Sequence, residues 1–136
     1  MYNFKNKKVV GKLGEDVACI FLERRGFHVL ERNYLKKWGE IDIIAIKDNI
    51  LTFIEVKSVV DDITSFRYRQ DTANHAYRPE EKVHIQKRRR LSRTIQTYLA
   101  QKKLSSDTPF VFHIAVIHIN TEKYRAHVTI INNVIL

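Results

Sequence analysis

The chain has 136 residues, 44% hydrophobic and 10% aromatic, enough for one domain with an ordinary core, too short for two domains and too apolar for disorder. Four glycines, two prolines and one cysteine exclude collagen-like or low-complexity architecture, an internal disulfide framework and a cysteine-rich zinc module. Twenty-four Lys and Arg face fifteen Asp and Glu, and the net charge of +9 points to a polyanionic partner: DNA, RNA or an acidic membrane surface.

Residues 7–25 read as a helix, because Val10, Leu13, Val17, Ile20 and Phe21 recur at the three- and four-residue spacing of one buried stripe. Gly26 is its natural stop. Phe27 to Glu31 reads as a short strand, followed by a polar connection from Asn33 to Trp38. Gly39–Lys47 and Ile50–Val60 are rich in Ile, Val and Phe and predict two strands joined at Asp48-Asn49. Residues 61–78 carry no sustained period and read as a long loop. Pro79 to about Lys103 predicts a second helix, with Val83, Leu91, Ile95, Tyr98 and Leu99 on its buried side. Phe110–Asn120 and Tyr124–Ile135 predict a closing pair of strands. The order α-β-β-β-α-β-β is a single mixed α/β domain. No apolar run approaches the ~18 residues of a membrane span, and Met1-Tyr2-Asn3-Phe4-Lys5 lacks a signal core. These features predict a soluble, cytoplasmic protein.

The hairpin carries the chemistry. With its turn at Asp48-Asn49, Asp42 falls opposite Glu55 and Glu40 opposite Lys57. Alternation along a strand puts Glu40 and Asp42 on one face with Glu55 and Lys57, and sends Ile41, Ile43, Ile54 and Val56 to the core. Two neighbouring carboxylates repel unless a cation lies between them or one keeps its proton. Oxygen donors that leave room for water suit Mg²⁺, and a neighbouring lysine suits a phosphodiester that gains charge in hydrolysis. The same spacing equally describes a solvated, charged strand face. Glu15 lies off the stripe of the first helix and reads either as a contributor to the site or as an ordinary exposed acid.

Gly11-Lys-Leu-Gly14-Glu15-Asp-Val-Ala18, Arg32-Asn33, Gly39-Glu40-Ile41-Asp42-Ile43-Ile44-Ala45 and Phe53-Ile54-Glu55-Val56-Lys57 together resemble the YraN-type family of uncharacterised bacterial proteins. The likeness resumes at Lys87-Arg-Arg-Arg-Leu91 and runs through Tyr98-Leu99. That family is placed in the restriction-endonuclease-like PD-(D/E)xK nuclease superfamily, similar to archaeal Holliday-junction resolvases. The resemblance implies a central mixed five-stranded sheet flanked by helices, with a site for Mg²⁺, or Mn²⁺ in its place. It implies Asp42, Glu55 and the Val56 carbonyl as metal ligands, Lys57 as catalytic lysine and Glu15 as a helix-borne acid. Ile41 stands where the superfamily expects proline. Ser58-Val59 replaces the usual Thr-Arg, a change expected to weaken a contact to phosphate. His113 stands where an Asp usually follows the aromatic of the fourth strand.

Between Arg78 and Lys103 there are nine Lys and Arg and two acids. Lys87, Arg88, Arg89 and Arg90 wrap the exposed side of the second helix, Arg93 extends the patch, and Arg67 and Arg69 add to it from the loop. Such a surface fits nucleic-acid backbone, and the commoner fate of a charge run is a solvated helix face. Six histidines show no zinc spacing and read as structural, with His113 closest to candidacy. Trp38 and Cys19 read as packing residues. The function expected is a metal-dependent endonuclease for DNA, branched or otherwise structured, with RNA also open as substrate and a homodimer suggested by analogy with resolvases. The alternatives are a nucleic-acid-binding module of the same fold that no longer cuts, and an adaptor whose basic helix docks on an acidic protein.

Overall fold

A computed structural model describes residues 3–61 and 85–136. Helix α1 (Lys7–Arg24) is followed by strands β1 (His28–Lys36), β2 (Gly39–Lys47) and β3 (Ile50–Asp61), helix α2 (Ile85–Gln101), and strands β4 (Phe110–Asn120) and β5 (Arg125–Ile131). The five strands form one sheet in the order β1-β2-β3-β4-β5. All neighbours are antiparallel except β3 and β4, which are parallel and therefore need the crossover that contains α2. The fold is the mixed α/β arrangement expected, with one helix on each sheet face. The loop expected after Asp61 and the first turn of the second helix, with Val83, Arg67 and Arg69, lie outside the described residues. Among those described, no helix is long and apolar enough to cross a membrane.

Local chemistry sets the ends of α1. The Asn6 side chain accepts from the amides of Lys8 and Val9 at 2.9 and 3.3 Å. At the other end Gly26 takes φ +90, and the amides of Gly26 and Phe27 return to the carbonyls of Glu23 and Leu22. The expected stripe is met in part, for Val10 is buried and Leu13 and Val17 pack half-buried against the core, but the covered centre is shifted. The buried residues are Val10, Gly14, Ala18, Cys19 and Leu22, and Ile20 is 51% exposed. The cause is Gly14: a Cβ there would lie 1.8 Å from Ser58 Oγ and 3.0 Å from Ser58 Cβ, so small residues let α1 approach β3 at near backbone contact. The helix is thereby turned away from the face with the largest side chains.

Behind α1, Val10, Ala18, Cys19 and Leu22 pack with Ile43, Ala45, Ile54, Ala115, Ile117 and Ile119. Behind α2, Leu91, Ile95, Tyr98 and Leu99 pack with Tyr34, Ile41, Ile44, Phe53, Phe112 and Ile114. The edges of Tyr34 and Phe53 meet the Tyr98 ring at centroid distances of 5.3 and 5.6 Å.

Strand β1 is longer than expected and absorbs most of the supposed connection, leaving only Lys37-Trp38 as the turn. Two irregularities disguise it. The register shifts between Val29 and Glu31, and Asn33 has φ +51. Across that second point alternation fails. Arg32 and its partner Ile43 belong to the α1 side, whereas Tyr34 and its partner Ile41 belong to the α2 side. Ile41 and Ile43 therefore do not share a face, and Asp42 sits at the break.

Candidate functional site

The β2–β3 ladder has the register expected, from Lys47↔Ile50 to Ile43↔Ile54, and there the paired residues end. Asp42 does not stand side by side with Glu55. Instead its Oδ2 accepts the Val56 amide at 2.7 Å, where the two strands part. Its carboxyl lines a cavity of about 420 Å³ on the α1 side, together with Glu15, Lys7, Gly11, Val56 and Ser58. Burial pushes the Asp42 pKa from 3.8 up to about 6; the Val56 amide pulls against this, and the carboxylates of Glu15, Glu55 and Glu40 add to the rise. Glu15 reaches the cleft because the α1 face beside it, Gly14 and Ala18, lies so close to the sheet. Its own carboxylate is 3.6 Å from Arg32 Nη2.

Glu55 takes the other face. Phe53 and Val59 pack on the α2 side and Ile54, Val56 and Val60 on the α1 side, so alternation sends Glu55 and Lys57 toward α2. Lys57 Nζ lies 3.4 Å from Glu55 Oε1, and Lys87 of α2 makes a second ion pair with the same oxygen. Glu55 is only 12% exposed at its side chain, and its other oxygen, Oε2, is buried without a hydrogen-bond partner among the described residues. The four groups expected to converge thus form two adjoining pairs, Glu15 with Asp42 and Glu55 with Lys57, on either side of β3. Among the described residues, no three His, Cys, Asp or Glu side chains are grouped to cage a metal ion.

The basic helix splits similarly. Lys87 belongs to the Glu55 group. Arg88 and Arg89 line a surface depression with Ile85, Ser92 and Leu136. Arg90 lies beside Gly39, and Arg93 stacks 3.6 Å over the Trp38 ring, whose Nε1 donates to Thr97 Oγ1 at 3.0 Å. Trp38 is therefore a packing residue, as expected, and α2 covers the sheet face opposite the Asp42 cavity. Sequence reasoning passed over the cations nearest that cavity, Lys7, Lys8, Lys12 and Arg32. The signal available was Arg32 within the Arg32-Asn33 motif.

His113 is buried, and its Nδ1 accepts the Asn133 amide at 3.0 Å, while the Val134 amide returns to the Phe112 carbonyl. It ties the segment after β5 to the start of β4. Burial lowers its pKa from 6.5, against a hydrogen bond with the Phe112 backbone. A base with a depressed folded pKa stabilises the fold above its unfolded value and loses that contribution as pH falls below 6.5. Urea titrations at pH 8 and pH 5 should show wild type losing more stability than His113→Gln. Equal losses would show that His113 does not contribute to the acid sensitivity.

A family model described as "Uncharacterised protein family UPF0102" matches residues 14–119. A UPF0102 protein of Clostridium perfringens is 40% identical over 125 residues, covering 89% of this chain and 90% of the relative. UPF0102 proteins of Campylobacter jejuni and Dictyoglomus turgidum are 42% and 43% identical, covering 71% and 73% of this chain and 74% of each relative. The matched span contains Glu15, Asp42, Glu55, Lys57 and the whole sheet as far as Ile119. The chain is a member of the UPF0102, or YraN-type, family.

Proposed function

We propose that the protein is a metal-dependent endonuclease of restriction-endonuclease-like fold, acting in the cytoplasm on DNA, with branched or otherwise structured DNA as the preferred class. The observation that carries this reading is Asp42, a mostly buried carboxyl raised to about 6 within reach of three other acids at the parting of two strands. Acids gathered around one buried carboxyl favour a cation among them, and Lys7 and Glu15 line the same cavity. On the other side of β3, Glu55 Oε2 is buried with no hydrogen-bond partner among the described residues, while its Oε1 is paired with Lys57 and Lys87. These donors are oxygens, and Mg²⁺ is commonly held by one or two carboxylates with the remaining positions left to water. Asp42 and Glu15 would hold it beside the Val56 carbonyl; Glu55, the further ligand the family resemblance implies, is turned to the other side of β3 and paired with Lys57 and Lys87. A bound Mg²⁺ supplies charge neutralisation and polarises phosphodiester oxygens.

The chain's own residues supply the rest. The Val56 amide fixes the Asp42 carboxylate and stabilises its ionised form. Glu55 holds the ammonium of Lys57 at 3.4 Å on the α2 side of β3, and the family resemblance assigns that lysine to the charge a phosphate develops. Lys57→Ala is expected to lower Mg²⁺-dependent cleavage at least about 100-fold while DNA binding in EDTA stays within about threefold of wild type. Cleavage at the wild-type rate in that variant would remove Lys57 from the reaction.

One observation favours a second reading, a nuclease-like binding module that does not cut. Glu55 is engaged by two ammonium groups, and no three described acids form a cage. Calorimetric titration with Mn²⁺ separates the two. The nuclease binds Mn²⁺ and weakens with Glu55→Gln; the module shows no saturable heat in either protein. The substrate class follows from a cleavage panel with Mg²⁺ or Mn²⁺ on single-stranded, duplex, flap and four-way DNA and on RNA. A homodimer remains the arrangement suggested by the resolvase analogy, and sedimentation of the free protein tests it.

A further inference from the structure

The cavity beside Asp42 does not end at Glu15. Gly11 and Glu15 also wall a second cavity of about 570 Å³, whose other walls are Lys8, Lys12, Arg32 and Asn33. Gly11 forms a bare saddle between the two: a Cβ there would meet nothing within 4 Å. A chain of anions lying in the first cavity can therefore continue over α1 into the second.

The charges in the second cavity are arranged rather than scattered. Asp16 sits 2.8 Å from Arg32 Nη2 and 3.3 Å from Lys12 Nζ, and Glu15 sits 3.6 Å from the same Arg32 nitrogen. Asp16 is thus the shared anchor of Lys12 and Arg32. Three cations against two acids leave the cavity positive.

The first turn of α1 adds a second line of reasoning. The amino end of a helix carries partial positive charge and favours acids, yet this turn has none and holds Lys7 and Lys8. Placing two lysines there costs the isolated fold stability. A local rule broken in this way is expected where a ligand repairs it, and the ligand that repairs an excess of positive charge is an anion.

We infer that the Lys8–Lys12–Arg32 cavity seats a backbone phosphate of the same nucleic-acid strand that enters the Asp42 cleft. The strand then crosses α1 over Gly11, on the sheet face opposite the arginines of α2. The inference rests on the reading of the Asp42 cleft as the place where nucleic acid is held, and adds the direction in which the strand leaves it. It also assigns the α1 lysines, and not the denser α2 run, as the principal phosphate contacts.

The test is fluorescence anisotropy of labelled single-stranded and four-way DNA in EDTA, where no cleavage occurs, between 50 and 300 mM salt. The Lys8→Ala/Lys12→Ala double variant is expected to bind about tenfold or more weakly. The slope of log affinity against log salt should fall by roughly 1, as the loss of one phosphate contact requires. Arg88→Ala/Arg89→Ala should lose less on both measures. One methylphosphonate linkage at the right position should bring wild type down to the double variant, and the variant should not respond to it. Wild-type affinity and slope in the α1 variant, with the loss falling on the α2 variant, would overturn the inference. So would wild type that fails to bind DNA. If binding behaves as expected but no metal ion supports cleavage, the phosphate seat stands and the nuclease reading fails.

Discussion

Asp42→Asn should make the protein more stable at pH 7.5 and inactive. The carboxyl is mostly buried, and its displacement from 3.8 to about 6 measures how strongly the fold resists the charge. An acid whose folded pKa is raised stabilises the fold fully below its unfolded value. That contribution is lost as pH climbs through the folded value, here between about 4 and 6. At pH 7.5 the ionised group therefore works against folding, by up to about 3 kcal/mol on the usual conversion. An amide is nearly the same shape, accepts the Val56 amide through its oxygen and carries no charge. Urea unfolding should put Asp42→Asn roughly 1–3 kcal/mol above wild type at pH 7.5, with the gap closing toward pH 4. Mn²⁺ titration should give no saturable heat, and cleavage should fall at least about 100-fold. A variant less stable than wild type at pH 7.5 would mean that the charged hydrogen bond to Val56 outweighs the cost of burial.

The second large effect separates two glycines in one helix turn. Gly11 and Gly14 both pay the backbone entropy of an interior helical glycine, about 1 kcal/mol against alanine. At Gly11 an added methyl meets nothing within 4 Å, so Gly11→Ala should raise stability by about that amount. At Gly14 the methyl collides with Ser58; turning the hydroxyl aside leaves the Ser58 Cβ only 3.0 Å away. Helix and strand must then separate, and Gly14→Ala should lose about 1–3 kcal/mol. Thermal melts of the two single variants should move in opposite directions. Ser58→Gly should return part of the loss in the double variant, which a double-mutant cycle reads as coupling. Parallel shifts would mean that α1 and β3 are not in close contact at Gly14.

The sequence made some of this visible and concealed other parts for identifiable reasons. The hairpin from Gly39 to Val60 was legible, because Ile, Val and Phe at strand spacing about Asp48-Asn49 leave one register that buries them. The buried side of α2 was legible for Leu91, Ile95, Tyr98 and Leu99, where bulk and burial coincide. In α1 they do not coincide. Gly14 and Ala18 face the sheet because they are small, and a reading that looks for large apolar residues finds Val10, Leu13 and Val17 but misses the centre of the contact. The sequence predicts too short a β1 because a positive φ at Asn33 interrupts alternation, and no local pattern announces it. The same interruption divides Asp42 from Glu55. The candidate acids were nameable from the strand motif and family resemblance, yet their separation into two pairs depends on where two strands diverge. The cations of the second cavity come from α1 and β1, which are far apart in sequence, so no run of charge points to them.

Cys19 offers a practical handle on the same helix. It is the chain's one cysteine, buried against the sheet, and burial raises its thiol pKa, opposed mainly by Arg32. A protonated, covered sulfur reacts slowly with alkylating probes. Labelling therefore proceeds at the pace at which α1 lifts from its bed. A mass spectrum taken over time becomes a clock for that motion, needing no engineered reporter, and an oligonucleotide clasped over α1 should make it run slow.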